Sequence, residues 1–219
     1  MATAVLILIA YLLGGIPFGL IVSRIFGVKD IRSHGSGNIG ATNVWRVVGA
    51  KAAVWVYVGD IGKGVAAVAV ARYWANSFGT AFLPTDTFLV VCALAAVLGH
   101  LFPLYLRFKG GKGVNTALGA MIMLLPLESL AGFVIFIIVV AASRFISLGS
   151  MAGGVGLFGI VAAEKYLMAR DMAAIYVYLA GTLAALIVIT HRQNIRRLIA
   201  GTENRLSLSS KSGKSGSDV

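Results

Sequence analysis

The sequence is poor in charge and in cysteine. Only 12% of its 219 residues are Asp, Glu, Lys or Arg, whereas 58% are hydrophobic. Soluble domains carry about twice that fraction of charge. So few charged side chains cannot cover a globule of this composition, and the sequence therefore predicts an integral membrane protein. The single cysteine, Cys92, lies in an apolar run and excludes intrachain disulfides, and we expect it to be a buried, inert thiol.

Acidic residues are scarcer than basic ones, 8 against 19, and the formal net charge is +11. Such a charge is typical of nucleic-acid binders. On so apolar a chain, however, its placement says more about orientation in a membrane and about anionic lipids or substrates. We therefore expect no nucleic-acid partner. The three histidines lie far apart in the sequence with no carboxylate beside them, so the sequence predicts no metal site and no cofactor.

Seven apolar segments are separated by polar connections, which predicts an all-α bundle of seven transmembrane helices. The connections after the first, third and fifth segments are basic, as is the C-terminal tail, so the positive-inside rule places them in the cytoplasm and the N-terminus outside. Merging residues 114–142 into one crossing would put the arginine-rich tail outside. Residues 1–206 form one transmembrane domain, and the Ser/Gly/Lys-rich residues 207–219 are predicted to be a disordered tail. The segments are residues 2–25, 52–74, 87–106, 114–125, 129–142, 148–163 and 172–190.

Polar, glycine-rich clusters lie on the predicted cytoplasmic face, at residues 36–43, 99–113 and 191–203, with a smaller one at Arg144 and Ser147. Glycine lets backbone N–H groups approach an anion, and Ser, Thr and Asn side chains can complete its coordination. Each cluster alone is equally a set of tight turns or membrane anchors. Anchoring requires Lys and Arg but not the interleaved Gly, Ser and Asn, so the convergence of clusters predicts an anion site. The Gly-Gly-Lys-Gly run lacks P-loop spacing, which argues against a P-loop NTPase.

Three further positions have more than one interpretation. Asp60 and Lys63 lie inside the second segment, where an acid and a base three residues apart most simply neutralise each other, although a proton or ion relay would fit a transporter. His100 is either a buried packing residue or a catalytic one. For Arg196 and Arg197 we expect contacts with lipid headgroups.

Three stretches resemble the motifs of the PlsY family of bacterial membrane glycerol-3-phosphate acyltransferases. They are Ser-Gly-Asn-Ile-Gly-Ala-Thr-Asn at 36–43, Gly-His at 99–100 with Phe-Lys-Gly-Gly-Lys-Gly at 108–113, and His-Arg-Gln-Asn-Ile at 191–195 with Gly-Thr-Glu at 201–203. The resemblance implies transfer of a fatty acyl group from acyl-phosphate to the 1-hydroxyl of glycerol 3-phosphate, giving lysophosphatidic acid and phosphate in phospholipid synthesis. It also implies a bacterial inner-membrane protein, contact with membrane lipid, and transient contact with PlsX, which makes the acyl-phosphate.

The resemblance also implies roles for individual residues. Arg46, Lys112 and Ser147 are predicted to bind the phosphate of glycerol 3-phosphate, and Lys109 either substrate phosphate. A catalytic set is predicted to hold the acyl-phosphate and the developing oxyanion, and either His191 or the leaving phosphate is the base. This set is Ser36, Asn38, His191 and Asn194, and the remaining predicted substrate-binding residues are Gly37, Gly40, Thr42, Asn43, Gly110 and Gly111.

Two other classes of function remain open from the residues alone. A carrier of organic anions or phosphate predicts polar groups on both faces and at the midplane, whereas only Asp60 and Lys63 lie deep in a segment. A structural lipid-binding protein leaves the glycine-hydroxyl loops without a purpose.

Overall fold

The computed structural model describes residues 2–80 and 83–206, and over these ranges the chain folds into ten α-helices and two short 3₁₀ helices. The predicted tail, residues 207–219, lies outside the described residues. The 3₁₀ helices are Ile31–Ser33 and Leu104–Leu106. The α-helices are α1 (Ala2–Gly15), α2 (Phe18–Ile25), α3 (Ala41–Val47), α4 (Ala50–Phe78), α5 (Thr85–Leu101), α6 (Val114–Leu124), α7 (Pro126–Ser143), α8 (Ile146–Tyr166), α9 (Ile175–Thr190) and α10 (Arg192–Ile199).

Five segments are long and apolar enough to cross a membrane: α1 with α2, α4, α5 extended to Leu106, α7 and α8. A sixth is counted if α9 and α10, which meet at a bend of 57°, form one span. The remaining predicted segment corresponds to α6. Its 11 residues reach about 16 Å, roughly half of a hydrocarbon core of about 30 Å. The all-helical membrane fold is therefore confirmed, whereas the count of seven crossings stays a prediction.

The first segment breaks between α1 and α2 at Pro17, which has no N–H to donate. The Lys63 ammonium reaches across from α4 and donates to the Ile16 carbonyl at 2.9 Å. The same ammonium lies 2.7 Å from Asp60, and both side chains are buried. The prediction that these two charges neutralise each other is thus confirmed, and the pair also stabilises the break in the neighbouring helix.

Glycines allow unusually close packing between helices. A methyl group added at Gly14 of α1 would lie 1.9 Å from the Ala96 carbonyl oxygen of α5, and one added at Gly64 of α4 would lie 2.2 Å from the Thr116 oxygen of α6. Such small-residue contacts are the usual way in which helices associate in lipid. The main apolar core surrounds α5 and includes the fully buried Cys92, as expected from the sequence.

A second, smaller core holds the octapeptide of residues 36–43 against α2 and α4. Ile39 and Val44 are buried in it, on either side of the start of α3. The chain passes so close to α2 that a side chain at Gly19 would collide with the Ile39 carbonyl oxygen, 1.6 Å from the added carbon. This packing fixes where the octapeptide lies relative to the membrane helices.

Candidate active site

A cavity of about 470 Å³ opens at one end of the helix bundle, within the described part of the chain. Its wall changes character along its length. One end is polar and is lined by Ser36, Asn38, Gly40, Thr42, Asn43, Arg46, Asp60, His100, Lys112, Ser147, His191, Asn194 and Glu203. The other end, here named the apolar groove, is lined by Ala117, Leu118, Met121, Ser129, Gly132, Phe133, Phe136, Gly153, Gly154, Leu157, Ala180, Leu183, Ala184 and Ile187.

The octapeptide is organised around the buried side chain of Asn43. Its amide donates to the carbonyls of His34 and Asn38 at 3.0 and 2.8 Å, and its oxygen accepts from the Ser36 N–H at 2.8 Å. The N–H of Gly40 is taken by the Asn38 side-chain oxygen at 2.7 Å. Gly37, at φ +71°, also donates its N–H inside the loop. Glycine is needed here for backbone conformation rather than for presenting free N–H groups, so an anion would meet mainly the side chains.

A hydrogen-bonded network joins the second and third motifs. Lys112 donates to the Asn194 side-chain oxygen at 2.5 Å, and Asn194 donates to Glu203 at 2.7 Å. Ser147 from the start of α8 donates to the same Glu203 oxygen at 2.9 Å, and Arg197 donates to the other oxygen at 2.7 Å. The Glu203 carboxylate therefore joins α8 to α10, and Asn194 extends the network to Lys112 in the turn before α6.

This network gives Arg197 a partner that the sequence did not predict. Its Nε is bound to Glu203 and its side chain is one third exposed, and its contact with lipid headgroups stays a prediction. Arg196 is exposed, as a headgroup contact requires. Glu203 itself was not among the predicted site residues. A signal was present in the sequence, because Glu203 is the only acid among several arginines between Asp171 and Asp218.

The pKa values of two charged groups at the polar end are shifted by burial and by their neighbours. Burial lowers the pKa of Lys112 to about 8, and the nearby Arg197 and Arg46 act in the same direction while Glu203 opposes them. The carboxyl of Glu203 has its pKa lowered despite burial, because Arg197, Asn194 and Ser147 all bind its charged form. Arg46 stands at the exposed mouth and reaches the Asn204 carbonyl at 3.4 Å.

His191 lies at the bend between α9 and α10 with its ring buried. Its Nδ1 lies 2.7 Å from the Ile187 carbonyl oxygen, which can only accept a hydrogen bond. Nδ1 therefore carries the proton, and Nε2 has a free lone pair in the neutral ring. Burial, followed by the repulsion of Lys112, lowers the pKa of His191 to about 4. At neutral pH the ring is thus an uncharged acceptor.

Gly110 and Gly111 close the turn against the end of α5 rather than lining the cavity. Their N–H groups donate to the carbonyls of Leu101 and His100 at 3.1 and 3.2 Å. A methyl group on Gly111 would lie 2.3 Å from the ring of His100. His100 is buried, and its Nδ1 lies 3.6 Å from Asp60. The two glycines therefore let the turn lie flat on His100 and so direct Lys112 into the cavity.

The fourteen predicted site residues fall into two groups. Ten of them line the cavity, although they come from four separate parts of the sequence, and four do not. Gly37 does not line the cavity, and its N–H donates to the His34 carbonyl within the loop. Lys109 is exposed and lines a separate depression with Arg32 and Arg107 rather than the cavity, and its assignment to either phosphate stays a prediction.

Known proteins with similar sequences are glycerol-3-phosphate acyltransferases. The family model for glycerol-3-phosphate acyltransferase matches residues 4–201. A glycerol-3-phosphate acyltransferase of Myxococcus xanthus is 44% identical over 204 residues, which cover 93% of this chain and 99% of the relative. Glycerol-3-phosphate acyltransferase 2 of Bacillus anthracis is 40% identical over 202 residues, which cover 91% of this chain and 97% of the relative.

The fold is similar to that of a solved member of the same family. The glycerol 3-phosphate form of PlsY, an integral membrane glycerol 3-phosphate acyltransferase, has a TM-score of 0.82 at 36% identity and covers 94% of this chain and 96% of its own. Its lysophosphatidic acid form gives a TM-score of 0.80 at 35% identity. The chain belongs to the PlsY family of integral membrane glycerol-3-phosphate acyltransferases.

Proposed function

We propose that this protein transfers a fatty acyl group from acyl-phosphate to the 1-hydroxyl of glycerol 3-phosphate, releasing lysophosphatidic acid and phosphate. The observation that carries the proposal is the two-part cavity. Its polar end collects cations, hydroxyls and amides suited to phosphates, and it continues without interruption into a groove lined by apolar and small residues. A reaction between a water-soluble phosphate ester and a lipid needs such a junction. The names of the relatives and of the solved structures support the acceptor and the acyl transfer, since they are glycerol-3-phosphate acyltransferases.

The acceptor phosphate is proposed to bind Arg46, Lys112 and Ser147. Lys112 uses one of its three N–H donors on Asn194, which leaves two for a ligand. Arg46 at the mouth supplies the planar guanidinium that suits phosphate oxygens. The negative charge of Glu203 does not cancel the positive charge of Lys112 and Arg46, because Glu203 is already paired with Arg197.

The donor is proposed to lie deeper, with its acyl chain in the apolar groove and its reactive carbonyl near Asn38, Ser36 and Asn194. Amide and hydroxyl donors that are already oriented stabilise the negative charge that develops on a carbonyl oxygen under attack. Acyl-phosphate is an activated anhydride, so positioning and this stabilisation supply most of the catalysis. The hydroxyl oxygen attacks the carbonyl carbon, the bond from that carbon to the phosphate oxygen breaks, and phosphate leaves.

The leaving phosphate is proposed to accept the hydroxyl proton. A phosphate dianion, whose protonated form has a pKa of about 6, is a stronger base than an imidazole whose pKa is lowered to about 4. His191 then acts through Nε2 as a neutral acceptor that orients the hydroxyl. Replacing His191 by Gln retains an acceptor, whereas Ala does not. We expect H191Q to keep substantially more kcat than H191A. Equal, near-complete loss in both would instead identify His191 as the base.

The proposed setting is the bacterial inner membrane, with seven segments, the N-terminus outside and the cavity mouth in the cytoplasm. This orientation rests on the alternating charge of the connections. It makes the mouth accessible to glycerol 3-phosphate and to transient contact with PlsX, while membrane lipid surrounds the groove.

One assay tests the reaction. Purified protein in detergent is given 16-carbon acyl-phosphate and labelled glycerol 3-phosphate, and lysophosphatidate is measured. Acyl-CoA and acyl carrier protein thioesters are tested in parallel as donors. Product from acyl-phosphate alone supports the proposal. Product only from a thioester would refute the donor, and no product from folded protein together with anion flux in vesicles would favour the carrier.

A further inference from the structure

The apolar groove runs along the helix axes and has a measurable depth. On α9 its wall is formed at Ala180, Leu183, Ala184 and Ile187, which leads to His191 at the polar end. These positions recur every three or four residues, the spacing of one helix face. The eleven residue-to-residue steps from Ala180 to His191 rise about 16 Å, and the ten steps from Ser147 to Leu157 on α8 rise about 15 Å.

On four helices the cavity-lining residues farthest from the polar end are Met121, Ser129, Leu157 and Ala180, and these four are here named the floor of the groove. Met121 and Ala180 are each 1% exposed and belong to the main core. Ser129 donates to the Leu125 carbonyl at 2.6 Å, so its hydroxyl is engaged. The preceding residue, Glu128, is buried and paired with Arg170. Met121 and Ala180 are packed in the main core and the Glu128 carboxylate is only 1% exposed, so neither side leaves space for further methylene groups and the floor is closed.

We infer that this floor measures the acyl chain and sets the chain-length preference of the enzyme. The inference rests on the proposed function, since it assumes that the donor chain occupies the groove. An extended chain of single bonds advances about 1.2 Å per bond. A depth of about 16 Å therefore holds about 13 bonds, or about 14 carbons. Chains up to that length gain burial with each carbon, and the carbons beyond it gain none.

The test compares chain lengths in wild type and three variants. Each enzyme receives an equimolar mixture of saturated 8- to 18-carbon acyl-phosphates with saturating glycerol 3-phosphate, and the products are counted by mass spectrometry. In the wild type, kcat/KM is expected to rise about fourfold for each added methylene and to reach a plateau at about 14 carbons. In A180F the ring occupies the floor over about 4 Å, so the plateau moves to about 11 carbons. In L157A the floor recedes and the plateau moves about two carbons longer.

The matched control is A185F, which adds the same ring to the same helix at an exposed position outside the cavity. We expect its chain-length profile to equal that of the wild type. L157A only removes atoms, so it tests the inference even if A180F does not fold. A plateau that stays in place in the folded variants refutes the measuring floor. The proposed function fails separately, if the wild type transfers no acyl group of any length.

Discussion

The alkaline limit of activity follows from Lys112. Its pKa is lowered to about 8 by burial, with Arg197 and Arg46 adding to the effect. A cation is present below its pKa and is lost as the pH rises through it. The ammonium is therefore about 90% charged at pH 7 but only about 10% charged at pH 9. If Lys112 binds the acceptor phosphate, kcat/KM for glycerol 3-phosphate falls about tenfold over this interval.

The acid limit has a different origin. The pKa of His191 is lowered to about 4, so its ring stays neutral down to about pH 5. The dianionic phosphate of the acceptor takes up one proton at about pH 6 and then binds less strongly. We therefore expect a bell-shaped profile of kcat/KM with limbs at about pH 6 and about pH 8, and an acid limb that is unchanged in H191Q.

Initial rates between pH 5 and 10, corrected for spontaneous hydrolysis of the donor, measure this profile. The informative control is Lys112→Arg, because guanidinium remains charged throughout the range. Its alkaline limb is expected to disappear even if its absolute rate is lower. A wild-type profile that is flat to pH 10, or a limb that persists unchanged in Lys112→Arg, would show that Lys112 does not supply the essential charge.

Two further predictions concern stability in detergent. Gly64→Ala forces a methyl group to within 2.2 Å of the Thr116 carbonyl oxygen and is expected to lower the free energy of unfolding by about 1 to 3 kcal/mol. The control is Gly62→Ala on the same helix, whose added methyl group meets nothing within 4 Å. It is expected to raise the free energy of unfolding by about 0.5 to 1 kcal/mol. Equal melting temperatures for the two variants would contradict the close helix packing. Glu203→Gln leaves Arg197 without its partner and is expected to lower the free energy of unfolding by about 1.5 kcal/mol, with loss of activity. An unchanged melting temperature and rate would show that the carboxylate holds nothing together.

The sequence was sufficient where the physical cause is local. Hydropathy predicts helices because backbone N–H and C=O groups in lipid can form hydrogen bonds only with one another. Helices lie at each of the predicted segments. The pairing of Asp60 with Lys63 follows from their spacing on one helix. The positions of the three motifs were equally visible, since glycine, hydroxyl and amide groups are unusual in so apolar a chain.

Tertiary packing decided what local patterns could not. Lys109 and Lys112 look alike in sequence, yet the turn on His100 directs only Lys112 into the cavity. The importance of Glu203 depends on three partners, up to 56 residues away, which no periodicity reveals. The sequence by itself determined that helices cross a membrane and which polar groups they carry, because lipid acts on each segment separately. The cavity, its charges and its depth came only from the packing of helices distant in the chain, because a cavity is a property of the space between them.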